Sequence, residues 1–343
     1  MQAPTNLRDY VDSIRDTLKP PVSNKLLYSG EHLKVMIVAG PNQRNDFHVE
    51  LGEELFYMLI GDMDLDIMEN GQRKRIHIAE GTFFLLPACV PHSPQRYPDT
   101  IGVVVERERL VNELDCLRWY VPNTPSGEVL YEEVFHCTDL GTQIKAVIER
   151  FNAKQQQQQE LQQVQPQPPT STGSVFHFTP SPTDYFQVTA TPGGSAAYPS
   201  FVLADQVAAL AALSAGTEGA TSPSSSSSSS SSSATSPTSA SLSRVMDGEF
   251  KVDFVHGWGD VTLPCADHGE VFVWQVLGEC EVCVGSDRRR LGTGQVTLCS
   301  RRHNVSSAGN EVRICSSAQG SVTVCITNTT VPPRTSDGTN SAS

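Results

Sequence analysis

The side chains best able to do chemistry lie in two short segments. Residues 40–61 hold His48, then the carboxylates Glu50, Glu53 and Glu54, and end on Gly61. Residues 81–96 hold Gly81, Pro87, His92 and Arg96. Two imidazoles and one carboxylate gathered on one face of an ion form a triad that leaves coordination positions open, and such sites select non-haem Fe(II). Open positions allow a substrate and O2 to bind side by side. His48 and Glu54 are six residues apart, so on a continuing β segment the period of two would point both to the same face. His92 then has to come from a neighbouring strand. Any one of these residues alone is more often a solvated or hydrogen-bonded side chain, and nine histidines supply chance pairs easily.

The surrounding patterns indicate what would position them. Residues 7–18 have helical spacing of apolar positions, ended by Pro20-Pro21. From Lys34 to Glu108 the chain reads as short strands: Lys34–Val38, Leu55–Ile60, Met63–Met68, Arg75–Ile78, Thr82–Leu86 and Gly102–Glu106. Asn70-Gly71 predicts a tight hairpin, because a type I′ turn needs positive φ at both central residues. Strands this closely spaced, with no helices between them, indicate an antiparallel sandwich or barrel. Leu140–Phe151 reads as a closing helix.

The next hundred or so residues differ in kind. Gln155–Gln159, Gln162–Pro169 and the serine run Ser222–Ser233 have too little apolar surface to offset the entropy of ordering, which predicts disorder. Tyr185–Leu213 is the exception, with apolar residues enough to pack locally. β patterning returns in Phe272–Leu277, Glu281–Val284, Gln295–Cys299, Val312–Cys315 and Ser321–Ile326. The expected organisation is a first domain at 1–153, a low-complexity linker at 154–245, a second β domain at 246–328 and a disordered tail at 329–343.

Bulk properties exclude some functions. A chain of 343 residues exceeds the usual size of one domain. A formal charge of −13 argues against a nucleic-acid partner and against an anionic membrane surface. No run approaches the ~18 apolar residues that would span a bilayer. The first residues carry neither a basic leader nor an apolar core, so a cytoplasmic address is expected. Nine scattered cysteines fit reduced thiols. Cys280 and Cys283 have C-x-x-C spacing, yet they fall in an apolar run, Val271–Val284, that reads as one strand with the two thiols on opposite faces.

The two chemistry-bearing segments resemble the paired cupin motifs. Glu54-x6-Gly61 fits the tail of the first and Gly81-x5-Pro87…His92 the second, which singles out Glu54 over Glu50 and Glu53. Asp46 and Arg96 depart from the general pattern, and those departures narrow the family. Gly40-Pro-Asn42, Gly52-Glu-Glu54, Phe83–Pro87, Val90-Pro-His-Ser-Pro-Gln-Arg96 and Val103-Val-Val-Glu-Arg107 closely resemble the 3-hydroxyanthranilate 3,4-dioxygenases, extradiol enzymes of tryptophan catabolism. The resemblance covers residues 7–150 densely and Phe250–Asn328 only in outline.

The resemblance implies an all-β-dominated double cupin of two jelly-roll barrels, the second degenerate, with a few short helices and a disordered insert. It implies Fe(2+) held by His48, Glu54 and His92. The substrate, 3-hydroxyanthranilate, would be gripped at its carboxylate by Arg96, while Glu106 accepts a hydrogen bond from its amino or hydroxyl group. Arg44 would stabilise charge on the oxygen side, and Asn24 would make an oxygen-side or lid contact. A monomer is implied, because no C-x-x-C pairs stand near the C-terminus. In the second half, His268, Glu270 and His303 echo a cupin set, and Gly292 to His303 repeats the span from Gly81 to His92. Two competing readings are a non-oxidative metal-dependent cupin and an interaction protein working through its insert. The first would place another ligand at position 46 or apolar residues at 44, 96 and 106, and this sequence does neither.

Overall fold

The computed structural model describes residues 1–19, 23–42, 44–122, 127–164, 200–215, 240–263, 269–300, 311–318 and 320–328. The serine run, Gln165–Pro169, the tail 329–343, His268 and His303 lie outside these residues, whereas Gln155–Gln159, expected to be disordered, are helical. The chain divides into two compact units, one of Thr5–Thr238 and one of Met1–Pro4 with Ser239–Ser343. Among the described residues, no helix is long and apolar enough to cross a membrane.

The N-terminal unit is a sandwich of two six-stranded sheets. In chain order its strands are β1 (Asn24–Ser29), β2 (Leu33–Ala39), β3 (Phe47–Val49), β4 (Glu54–Ile60), β5 (Met63–Glu69) and β6 (Gln72–Ile78). They are followed by β7 (Thr82–Leu86), β8 (His92–Arg96), β9 (Ile101–Arg107), β10 (Asp115–Tyr120), β11 (Val129–Phe135) and β12 (Ser200–Val202). One sheet has the order β12-β7-β4-β9-β2-β1 and the other β11-β10-β3-β8-β5-β6. Phe56, Met58, Phe84, Leu86, Met36 and Val104 from the first sheet meet Met63, Leu65, Ile67 and Ile78 from the second in one core cluster. Each fully buried side chain of this size contributes about 1.5–3 kcal/mol.

Asn70 and Gly71 form the expected two-residue turn, with φ of 52° and 74° between the paired residues Glu69 and Gln72. Helix α1 (Leu7–Ile14) starts on Asn6, whose side chain accepts hydrogen bonds from the Arg8 and Asp9 amides. Helix α2 extends past the expected end at Phe151 and spans Leu140–Val164, so the helices are not all short. Part of Tyr185–Leu213 does pack: β12 pairs with β7, and Phe201 stacks on Phe83 with ring centroids 5.0 Å apart. Helix α3 (Leu203–Ala215) follows it directly.

The second unit repeats the plan with β13 (Ser241–Asp247), β14 (Phe250–His256), β15 (Gly259–Thr262), β16 (Glu270–Leu277) and β17 (Glu279–Val284). Its last strands are β18 (Asp287–Gly292), β19 (Gln295–Ser300), β20 (Val312–Ser316) and β21 (Val322–Asn328). One sheet contains the order β19-β16-β21-β14-β13 and the other has β15-β20-β17-β18. The run Val271–Val284 is therefore two strands, not one; Gly278, at φ 77°, makes the break. Cys280 still faces the core with Val282 and Val284, while Cys283 lies on the other face, its sulfur 3.8 Å from that of Cys315.

Candidate metal centre

The register that builds the core also builds the site. Along β4 the period of two that sends Phe56 and Met58 inward sends Glu54 inward as well. Along β9 the alternation that buries Val104 against the same cluster does the same for Glu106. On the facing sheet, core residues Ile67 and Met63 pair with His92 and Arg96, and His48 pairs with His92. The site is thus the polar end of the inward-facing columns. His48 and Glu54 do not share a continuing strand, as their spacing suggested. They stand on β3 and β4, in opposite sheets, and converge because the sheets face each other.

All seven residues singled out from the sequence, Asn24, Arg44, His48, Glu54, His92, Arg96 and Glu106, line one cavity of about 90 Å³. Met36, Val38, Val104 and Ile144 supply its apolar wall. A neighbouring cavity of about 240 Å³ shares Asn24, Arg44, Arg96 and Ile144 with it. His92 Nε2 lies 2.9 Å from Glu54 Oε2, and the His48 and His92 rings stand edge to face at 5.3 Å between centroids. Each imidazole has one nitrogen taken by a fixed acceptor. His92 Nδ1 is 3.0 Å from the Val90 carbonyl, and His48 Nε2 is 2.8 Å from Asp115 Oδ2. Such outer partners fix ring orientation and leave the other nitrogen for a cation.

The electrostatics suit a cation. Burial alone would raise the Glu54 carboxyl, but His92, with His48 and Arg109, outweighs it and holds the group below the usual carboxylate range. Glu54 Oε2 is nevertheless buried without a well-aligned hydrogen bond, and so is Glu50 Oε1. Buried carboxylate oxygens left unpartnered are costly, and a metal ion would satisfy them. Ligand-capable atoms of His48, Glu50 and His92 lie within 4.8 Å of one another, as do those of Glu50, Glu54 and Glu106. A two-histidine, carboxylate-rich donor set of this kind fits a divalent transition metal.

The three charged residues expected to meet substrate have different surroundings. Arg44 pairs with Asp46 through Nε at 3.1 Å and again through Nη2, the ordinary fate of an arginine. Glu106 pairs with Arg109 Nη1 at 2.5 Å. Arg96 is 5% exposed and has no carboxylate partner among the described residues; its Nη1 lies 3.8 Å from Met58 Sδ. Burial pushes its guanidinium down to about 10. The backbone holds it in place: the Arg96 amide donates to Asn42 Oδ1 at 2.7 Å, and Asn42 Nδ2 donates to the Pro94 carbonyl at 2.6 Å. Gly102 leaves it room, since a Cβ there would sit 2.6 Å from Arg96 Nη1.

The cluster has three further members: Glu50, which the sequence motif passed over in favour of Glu54, and Asp115 and Arg109, which the sequence did not single out. Glu50, Asp115 and Arg109 are buried beneath the ligand candidates. Arg109 reaches Glu50 Oε2 at 2.6 Å, Asp115 Oδ2 at 2.9 Å and Glu106 Oε2 at 2.5 Å. Asp115 is a charge opening a largely apolar strand, whereas Glu50 and Arg109 stand just past strand ends, and Asp115 lies 67 residues from the histidine it touches.

Comparison with known proteins returns one name repeatedly. Residues 1–152 match the family model for 3-hydroxyanthranilic acid dioxygenase. A 3-hydroxyanthranilate 3,4-dioxygenase of Xenopus tropicalis is 53% identical over 156 residues, covering 46% of this chain and 55% of that protein. The Homo sapiens enzyme of the same name is 49% identical over 156 residues, 46% of this chain and 54% of its own. The chain thus spans about half the length of the curated relatives it matches. Among solved structures, a salicylate 1,2-dioxygenase from Pseudaminobacter salicylatoxidans superposes with a TM-score of 0.50 at 8% identity, over 96% of this chain and 84% of that one. That likeness speaks to the fold alone, an arrangement dominated by β-sheets.

Proposed function

We propose that the N-terminal unit is an extradiol dioxygenase that opens the ring of 3-hydroxyanthranilate with O2, giving 2-amino-3-carboxymuconate semialdehyde, at an Fe(II) ion held by His48, Glu54 and His92. Both oxygen atoms enter the product, so no other reductant is required. The observation that carries this reading is the unpaired, buried guanidinium of Arg96 in the same cavity as two imidazoles and a carboxylate. A buried cation without a partner calls for an anionic ligand, and a guanidinium matches a carboxylate in two-pronged geometry. The cavity's apolar wall suits an aromatic ring. The relatives' name gives the same substrate.

Iron(II), when bound, supplies open coordination positions for the substrate's adjacent hydroxyl and amino groups and for dioxygen. The remaining work falls to the chain. Arg96 orients the ring through its carboxylate. Glu106, held by Arg109 through Oε2, presents its other oxygen as acceptor for a proton of the amino or hydroxyl group. Burial raises its carboxyl above the ordinary range, which suits a group that takes up a proton. Arg44, tethered by Asp46, lends positive charge to the oxygen side. Asn24 stands where the two cavities join. In tryptophan catabolism this reaction leads toward quinolinate and the pyridine nucleotides. The test is to load the chain with Fe(II) without oxygen, add 3-hydroxyanthranilate, then admit air. Absorbance of the ring-opened product is expected; a loaded chain that leaves the substrate unchanged would refute the assignment.

A further inference from the structure

The substrate end of the cavity depends on a residue that does not line it. Gly102 is the second residue of β9 and, by alternation, shares the inward face with Val104 and Glu106. Glycine weakens a strand and often marks the close approach of another group. Here that group is Arg96. A Cβ on Gly102 would lie 2.6 Å from Arg96 Nη1, 3.3 Å from Met58 Sδ and 3.4 Å from the Tyr57 carbonyl oxygen, and the first is far inside contact distance. Met58 is locked in the core cluster, and the Tyr57 carbonyl belongs to the ladder. The guanidinium is the group that can give way, and its open side is the cavity it lines. Nothing in the scaffold itself asks for glycine at this point. Gly102 lies outside the left-handed region, so its backbone suits any residue. The second unit repeats the same ladder with a side chain in that place. Ile101 pairs with Ile60 and Gly102 with Met58, skipping Leu59; Val322 pairs with Leu277 and Thr323 with Gln275, skipping Val276. Thr323 fills the space and donates its hydroxyl to Gln275 Oε1 at 2.6 Å. The two units therefore differ at this position as they differ in having an arginine beside it.

We propose that Gly102 is a specificity-determining position: by carrying no side chain it lets the Arg96 guanidinium lie against β9, at the depth where a carboxylate borne directly on the substrate's ring reaches it. The inference rests on the reading of Arg96 as the carboxylate clamp. Gly102 touches neither substrate nor ion, so it is a positioning residue that acts through Arg96. Asn42 fixes the other end of the same residue, at its backbone amide. An orienting group has to be held within about 0.5 Å of its working place, and a methyl at position 102 would displace this one further. The displacement runs into the cavity, where it takes space from the carboxylate and leaves the rest of the ring's place untouched.

The test is Gly102→Ala in the full chain loaded with Fe(II) and titrated without oxygen. The two ligands are 3-hydroxyanthranilate and 2-aminophenol, the same ring without its carboxylate. Affinity for 3-hydroxyanthranilate should fall about 10–100-fold, the worth of a charge-assisted hydrogen bond, while affinity for 2-aminophenol holds. Metal per chain and the denaturant midpoint should stay at the wild-type level, since alanine restricts the unfolded chain more than glycine does. A double-mutant cycle asks whether the effect runs through the arginine: on an Arg96→Ala background, Gly102→Ala should add no further loss. Wild-type affinity for 3-hydroxyanthranilate in Gly102→Ala, an equal loss for both ligands, or a full further loss on the Arg96→Ala background overturns the role of Gly102 and leaves the clamp standing. If Gly102→Ala alone does not fold, the double variant decides. With the guanidinium gone the methyl has room, so a folded double variant supports the inference and an unfolded one overturns it. Wild-type affinity for 3-hydroxyanthranilate in Arg96→Ala overturns the clamp, and this inference with it.

Discussion

The two β units share a ladder and differ in what it carries. In the first, Gly61 turns the chain into β5, whose Met63 and Ile67 pair with Arg96 and His92. In the second, Gly278 turns it into β17, whose Cys280 and Val284 pair with Ser316 and Val312. Gly81 donates to the Met58 carbonyl at 2.7 Å, and Gly294 to that of Gln275 at the same distance. By this correspondence His92 is matched by Val312, Arg96 by Ser316, and His48 by Leu263, whose amide bonds the Val312 carbonyl at 2.9 Å. Glu54 is matched by Val271, since Met58 matches Gln275, and Val271 faces the apolar core; Glu270, its neighbour on the other face, accepts a hydrogen bond from Ser300 Oγ at 2.6 Å. The span counted from Gly292 to His303 is therefore slipped by two residues: the counterpart of Gly81 is Gly294. The position of the second imidazole belongs to valine, and Leu263 and Val312 sit in the apolar core. One scaffold thus tolerates either a polar cluster or a hydrocarbon plug at the same end. The fold supplies positions, and a few side chains supply the chemistry.

The comparison is broken most severely by grafting the second unit's residues onto the first. His92→Val should abolish metal uptake, read as metal per chain by mass spectrometry, and turnover with it. Folding should survive, since valine is what the equivalent ladder position of the other unit already buries. A His92→Val chain that still binds one equivalent of iron would remove His92 from the ligand set. Arg96→Ser, the corresponding graft at the substrate end, should be milder. Metal content should stay at the wild-type level while KM for 3-hydroxyanthranilate rises about 10–100-fold, as expected for a charge-assisted hydrogen bond worth ~1.5–3 kcal/mol. An unchanged KM would mean that Arg96 does not grip the carboxylate.

Much of the scaffold was legible because alternation is a local property. β4, β5, β7 and β9 were found within a residue or two of their ends, and the Asn70-Gly71 turn was read from two residues. β10 and β11 were not read at all, and several other missed strands have residues that look unlike strands. β8 contains Pro94 and Gln95, β3 has three residues, and β18 is led by Asp287 and three arginines. Two of those three carry the histidines, so the elements hardest to read are the ones that hold the site. Spacing did place His48, Glu54, His92, Arg96 and Glu106 in one constellation, through the resemblance to known motifs. It could not show how they meet, because His48 and Glu54 approach across the sandwich and not along a strand. Nor could it show Arg109, whose partners Glu50 and Asp115 are brought to it by three different strand ends.

The smallest effect, and the sharpest test of the correspondence, comes from the reverse graft. Val312→His puts an imidazole at the ladder position of His92 but leaves Leu263 where the second histidine would be, and Ser316 where the arginine would be. No metal should bind there, because one imidazole alone makes no donor set: Val271 stands where the Glu54 carboxylate would be, and Glu270, on the other face, is already bound by Ser300. Turnover in the first unit should be unaffected. The variant should only lose stability, by roughly 1–3 kcal/mol, the cost of burying a polar group without partners. Denaturant unfolding measures that loss. If instead Val312→His gained stability in the presence of Zn(II) or Fe(II), the second unit would hold a latent donor set, and the hydrocarbon plug, not the missing ligands, would be what keeps it silent.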